Sequence, residues 1–393
     1  MTLLIVIYIA FIGLGVPDSL IGSAWPAIYT DLGLSVDAVS IITLLISGCT
    51  VISSIFSSRL LDIFGTSKVT AVSTAMTALA LLGFSFAPNI FWMLPIAVVL
   101  GLGAGAIDSG LKNYVALHFK ASHMNYLHGF YGIGVTLSPY LVSLALSNTT
   151  WRVGYRYAAI LQGVIAVTVI LSLPLWKKNS KREEDGEQEK PISLSLLELI
   201  KVPGLVIAWV IMLTTNAIEY AAGIWGGTYL VNSKSFSEED AAKSLSLYYL
   251  GMAMGRLLSG LISGKVRTWT RIALGVGIVF VGTVVMILPL SPVYSVIALF
   301  LIGLGNGSVY PNFIHLTPQN FGKRLSQSVM GSLIAFAYIG VMLAPPLIGL
   351  LTRITSIDFY PYMILSLWLG MTLSIAAFLL KLKKKNKLDK TSE

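Results

Sequence analysis

A single cysteine, Cys49, stands in a chain of 393 residues, and histidine occurs only four times. One thiol cannot close an internal disulfide or build a multi-cysteine metal site. His118, His123, His128 and His315 are scattered along the chain and do not form a ligand cluster. Charge is scarce too: Asp, Glu, Lys and Arg make up 11% of the residues. No nucleophile–base constellation is visible, and no phosphate-cradling loop accompanies the glycines. Runs such as Gly101-Leu102-Gly103 are explained by helix packing. An enzyme is therefore not expected, nor a metal or any other cofactor.

Apolar sequence is abundant. Hydrophobic residues make up 55% of the chain and the mean hydropathy is +0.79. A bilayer-spanning helix needs about 20 apolar residues, and twelve such runs occur: 3–29, 38–58, 69–87, 91–117, 124–147, 155–175, 203–231, 243–264, 270–290, 293–317, 326–352 and 359–380. A membrane β-barrel would show alternating strands of about ten residues; these runs are longer and unalternating. The expectation is an all-α membrane protein with twelve transmembrane helices. The spans leave no room for a separate soluble domain, and the first run shows no small-residue cleavage site of a signal peptide.

The net charge of +9 does not point to nucleic acid, because its placement is one-sided. With the N-terminus in the cytoplasm, 20 of the 27 Lys and Arg fall inside and 5 outside. That bias places both termini inside and favours contact with anionic lipid. The short, lean loops suggest a bacterial cytoplasmic membrane. The sequon Asn148-Thr149-Thr150 on an outside loop is expected to stay unused.

Within the spans, charged residues carry the functional signal, since one at the bilayer centre costs about 2.5–3.5 kcal/mol on insertion scales. In the first span Pro17 should kink the helix, and Asp18 beside it is either a structural hydrogen-bonding group or cap, or a carboxylate that titrates or meets a ligand. In the fourth, Gly101, Gly105, Asp108 and Lys112 form one helical stripe. Asp108 precedes Lys112 by four residues, the favourable orientation for an ion pair, read either as a self-neutralised pair or as part of a site. Asn113 lies about 140° off this stripe. His128 and Tyr131 share a face of the fifth span and suit a hydroxylated ligand. The sixth holds Gln162, an inter-helix hydrogen-bonding residue. The seventh adds Asn216, Glu219 and Trp225, with Gly223, Gly226 and Gly227 giving a bendable segment. Tyr248 and Arg256 occupy the eighth, Arg256 toward the cytoplasmic side in a snorkelling or latch role. Asn306 and Tyr310 occupy the tenth.

The chain repeats itself. Gly101, Gly103 and Gly105 recur as Gly303, Gly305 and Gly307, 202 residues later, so that Tyr310 aligns with Asp108. Ile133-Gly134-Val135-Thr136-Leu137-Ser138-Pro139 recurs as Ile339-Gly340-Val341-Met342-Leu343-Ala344-Pro345. Two homologous six-span halves with binding between them follow: a six-helix bundle over 1–176, a linker over 177–202 whose apolar face at Ile192 to Leu199 suits the membrane surface, a second bundle over 203–380, and a basic cytoplasmic tail over 381–393.

Ser58-Arg59-Leu60-Leu61-Asp62-Ile63-Phe64-Gly65-Thr66-Ser67-Lys68 resembles the loop motif of the major facilitator superfamily, with Ile63 and Ser67 replacing usual basic residues. The resemblance implies a conformational latch formed by Arg59, Asp62 and Lys68. Twelve spans and two halves extend the likeness to essentially the whole chain. Within the superfamily, Asp18 with Trp25-Pro26, the run ending at Asp108, Asn125 to Gly134, and Tyr310-Pro311-Asn312 are similar to the fucose–proton symporter group. That likeness implies proton coupling at Asp18 and Asp108. His128 and Tyr131 stand where fifth-helix amides face sugar, and Lys112 where another amide is expected.

The function expected is a monomeric secondary transporter taking up a small polar solute, a monosaccharide, with protons. Substrate contacts are assigned to Lys112, Asn113, His128, Tyr131, Asn216, Glu219, Trp225, Tyr248, Asn306 and Tyr310. Two other readings remain. One is a proton-driven exporter of amphipathic compounds or sugars, although Ser138-Pro139 stands where drug exporters carry Gly-Pro. The other is a non-transporting solute sensor, which lacks a sizeable domain to relay a signal.

Overall fold

The structure is a computed structural model and describes residues 2–119, 121–177, 196–322 and 324–391; side chains at a few helical positions, Asn113 and Asn125 among them, and from 384 onward lie outside the description. Twelve long helices account for most of it: α1 Thr2–Leu32, α2 Val39–Phe64, α3 Thr66–Ser85, α4 Ile90–His118, α5 Ala121–Leu146, α6 Trp151–Leu171, α7 Leu205–Lys234, α8 Glu238–Leu261, α9 Thr268–Ile287, α10 Val293–His315, α11 Ser326–Ile354 and α12 Tyr360–Thr391. Among the described residues there is no strand. Eleven of the twelve are long and apolar enough to cross a membrane. The exception is α8, which opens on Glu238, Glu239 and Asp240 behind the cap Ser237 and carries Arg256 in its body.

Three boundaries differ from expectation. Helix α1 runs through Pro17 and Pro26 without interruption. A proline removes one hydrogen bond of the ladder, here the one Pro17 would have made to the Gly13 carbonyl, and packed membrane helices tolerate such a loss; beside it, Ser138 of α5 donates to the Val16 carbonyl at 2.7 Å and ties the two helices together. Helix α2 continues to Phe64, so Arg59 and Asp62 lie on a helix, and the turn falls at Gly65, whose φ of 80° is open to glycine. Helix α12 continues into the basic segment after 380. Most of the expected linker, residues 178–195, lies outside the described residues; Leu196–Ile200 forms one short helix after it.

Each half packs by the same plan. In the first, α1 lies on α5 and α6, α2 on α4, and α3 on α4 and α6; in the second, α7 lies on α11 and α12, α8 on α10, and α9 on α10 and α12. Side chains such as Leu79, Phe91, Leu171 and Ile354 point outward, as a lipid-facing surface requires. Lipid gives no hydrophobic reward for joining helices, so close backbone packing at small residues holds them together. The repeat shows this residue by residue. A β-carbon at Gly101 would collide with the Ile46 carbonyl, and one at Gly303 with the Tyr248 carbonyl, 202 residues on. Gly105 meets the Thr50 carbonyl as Gly307 meets that of Met252. Gly134 meets the Ile12 carbonyl as Gly340 meets that of Leu213. The last pair sets the register of α1 against α7 at 201 residues, which aligns Asp18 with Glu219.

Candidate functional site

Gly134 and Gly15 bring α1 onto the backbone of α5, Gly15 against the Tyr131 carbonyl. One turn along α1 from Gly15, Asp18 reaches the Tyr131 side chain, whose hydroxyl donates to Asp18 Oδ2 at 2.7 Å. Gly105 holds α4 against α2, and Asp108 follows on the same stripe. Lys112 Nζ lies 2.8 Å from each carboxylate oxygen of Asp108. Tyr338 of α11, in the other half, donates to Asp108 Oδ2 at 3.0 Å. Opposite them, Arg256 of α8 places Nη2 at 3.2 Å from both oxygens of Glu219 on α7. Its guanidinium stands 6.0 Å from the Tyr131 ring centre, at the far limit of cation–π reach. Asp18 is within electrostatic reach of Asp108, Glu219 and Lys112, so the two halves present one shared charged cluster.

The cluster holds three acids and two cations. Asp108 and Glu219 each have a cation at hydrogen-bonding distance. Asp18 has only the neutral hydroxyl of Tyr131. His128 and Tyr310 are half-buried and face Lys112 and Arg256 electrostatically.

Other residues expected at the site are occupied elsewhere. Trp225 is fully buried and donates to the Pro345 carbonyl at 3.1 Å, which makes it a packing residue between α7 and α11. Tyr248 is fully buried and donates to the Glu219 backbone carbonyl at 3.0 Å, supporting the acid from behind. Asn216 bonds back to the Met212 carbonyl. Asn306 donates to the Thr215 carbonyl at 3.1 Å, and its Oδ1 has no partner. The side chain of Asn113 lies outside the description. Arg256 does not snorkel toward the membrane surface: its side chain is 15% exposed and is turned inward by Glu219. Arg59, Asp62 and Lys68 are exposed, and the three ion pairs found among the described residues (Asp108–Lys112, Asp31–Arg152 and Glu219–Arg256) include none of them. Sequence reasoning missed Tyr338, and named Tyr220 and Tyr249 in their spans without assigning them a contact; both are within electrostatic reach of Asp18 and Glu219. Tyr220 adjoins Glu219, and Tyr338 immediately precedes the repeated Ile339-Gly340, so the repeat was the signal available for it.

Contacts between the halves include a set at the end of the bundle remote from the chain termini. A β-carbon at Gly22 of α1 would strike the Gly223 carbonyl of α7. Tyr29 donates to Asn232 at 2.7 Å, and Ser246 of α8 to the Thr136 carbonyl of α5 at 2.7 Å. The seam closes one turn beyond Asp18 and separates the cluster from that end.

Two mirrored six-helix halves around a central charged site define a membrane transport fold, and the sequence agrees. Residues 7–345 match the sequence model of the Major Facilitator Superfamily, and the chain belongs to that family. The 3-(3-hydroxy-phenyl)propionate transporter of Escherichia coli (strain K12) is 24% identical over 302 residues, covering 74% of this chain and 72% of that one. The glucose/mannose transporter GlcP of Bacillus subtilis (strain 168) is 20% identical over 292 residues, covering 71% and 70%. The solved structure of the nucleoside transporter NupG superposes with a TM-score of 0.73 at 12% identity, covering 96% of this chain and 98% of that one. The protein is a multi-pass membrane transporter of the superfamily and not an enzyme.

Proposed function

We propose that this transporter takes up a monosaccharide together with protons by alternating access, with both termini in the cytoplasm of a bacterial cell. The observation that carries the reading is Asp18, the one acid of the central cluster without a cationic partner. An ionised group at membrane depth is costly unless paired, so Asp18 is the group whose proton can come and go, whereas Asp108 and Glu219 each have a cation at hydrogen-bonding distance. This narrows the coupling role expected of both Asp18 and Asp108 to Asp18. Proton occupancy then biases the equilibrium between the two access states, and linkage makes its effect on solute binding reciprocal.

Hydroxyls of Tyr131, Tyr310 and Tyr338, with His128, supply donors and acceptors for a polyhydroxylated solute. The fucose–proton symporter resemblance and the similarity to a glucose/mannose transporter support a sugar. With the termini inside, the closed seam at Gly22 and Gly223 is the outer one, and the cluster is in its inward-facing state.

The test is uptake into proteoliposomes under an imposed proton gradient. Wild type is expected to accumulate sugar against its gradient. Asp18→Asn is expected to lose accumulation while still exchanging labelled for unlabelled sugar. Accumulation by Asp18→Asn equal to wild type overturns the assignment, and proton-driven efflux alone favours the exporter.

A further inference from the structure

We infer that the sugar carries a carboxylate, held between Lys112 of one half and Arg256 of the other. The inference rests on the transport reading above and adds a substrate class: sugar acids such as hexuronates.

Both cations have donors to spare. Lys112 engages Asp108 alone, and its side chain is 35% exposed although it lies deep in the bundle. Arg256 engages Glu219 through Nη2 alone; Nη1 and Nε have no hydrogen-bond partner among the described residues. The two side chains come from opposite halves yet feel each other electrostatically, and His128 feels both. A neutral sugar needs hydroxyl donors and acceptors, which the tyrosines already provide. Two incompletely engaged cations within electrostatic reach of each other fit a carboxylate, and a guanidinium with free N–H groups binds one in a planar fork.

The charge count makes the inference specific. The empty cluster, with Asp18 ionised, holds three negative and two positive side chains. Adding one carboxylate and one proton, the proton taken by Asp18, leaves that total unchanged. The carrier would therefore reorient with the same cavity charge loaded or empty. A neutral sugar with one proton would shift it by one positive charge. Sugar-acid symport at one proton per anion moves no net charge across the membrane and responds to the pH gradient but not to the membrane potential.

Two measurements test this. The first is ligand binding to the purified full-length protein in detergent, by calorimetry, with D-glucuronate and D-glucose at matched ionic strength. Glucuronate is expected to bind at least about tenfold more tightly. That preference should vanish in the double variant Glu219→Gln with Arg256→Gln, and separately in Asp108→Asn with Lys112→Gln, each of which removes a pair without stranding a charge. Equal or tighter binding of glucose, or binding of neither sugar, overturns the inference; so does a preference that survives both double variants. The second is uptake of radiolabelled glucuronate into proteoliposomes. Uptake should follow an imposed pH gradient and be unmoved by a potassium–valinomycin potential. Strong dependence on the potential overturns the charge count. The two readings fail separately: glucuronate binding without flux keeps the carboxylate site and sinks transport, whereas proton-driven glucose flux without glucuronate binding keeps transport and sinks the site.

Discussion

The two halves share a backbone plan down to single carbonyls yet share almost none of their charged chemistry. Gly105 against Thr50 is matched by Gly307 against Met252, and Gly134 against Ile12 by Gly340 against Leu213. On that common frame the first half places Asp18 with Tyr131 and Asp108 with Lys112, while the second places Glu219 with Arg256 and a tyrosine at the position of Asp108. Asp18 and Glu219 occupy equivalent positions on α1 and α7, but one has a neutral partner and the other a cation. The repeated scaffold is common to both halves, and the charged groups of the central cluster are what distinguish them. The proposed division of labour rests on this difference: Asp18 bonds a neutral hydroxyl, and Glu219 bonds a guanidinium.

That contrast can be broken most directly at the two equivalent acids. Glu219→Gln strands the buried guanidinium of Arg256 and is expected to cost about 3–5 kcal/mol, with much of the loss recovered by adding Arg256→Gln. Asp18→Asn strands nothing and should unfold close to wild type. Thermal unfolding of the purified variants in detergent measures both, and equal losses at the two positions would end the distinction between them.

The shared frame is tested next. Gly105→Val and Gly307→Val force side chains against opposing carbonyls and should destabilise by about 1–3 kcal/mol each, to a similar extent because the contacts are equivalent. Gly277→Ala, where a β-carbon meets open space, should be neutral or slightly favourable in the same assay. A large difference between the two valine variants would show that the halves do not share the packing that their sequences repeat.

The smallest effects belong to the tyrosines. Tyr131→Phe and Tyr338→Phe each remove one hydrogen bond to a carboxylate, worth about 1.5–3 kcal/mol at most. They should differ in kind. Tyr131→Phe acts within one half and should shift the pH dependence of uptake, because Tyr131 contacts Asp18. Tyr338→Phe removes a bond between halves and should change the turnover rate with the pH profile intact.

Much of this was legible in the sequence because membrane depth makes the signals coarse. Long apolar runs gave the helices, and the recurring glycines gave the halves. The Asp108–Lys112 pair followed from spacing along one helix. Contacts between helices were not legible. Arg256 reads as a residue near a helix end, and only the position of α7 shows that Glu219 turns it inward. Trp225 and Tyr248 have the chemistry of sugar-facing aromatics, but helix rotation decided their fate, and both point into packing. Pro17 reads as a kink within one span, and α1 is one helix through it. Arg59, Asp62 and Lys68 are exposed, and none of the three ion pairs found among the described residues includes them.

The seam at Gly22 and Gly223 has a mechanical meaning. At that point two bare backbones meet, and around it the Tyr29–Asn232 and Ser246–Thr136 hydrogen bonds are what opening this end would break. Among the described residues no ion pair joins the halves there, so opening this end would cost hydrogen bonds and packing contacts. The Tyr338–Asp108 hydrogen bond is a second tie between the halves, made at the cluster itself and to a carboxylate.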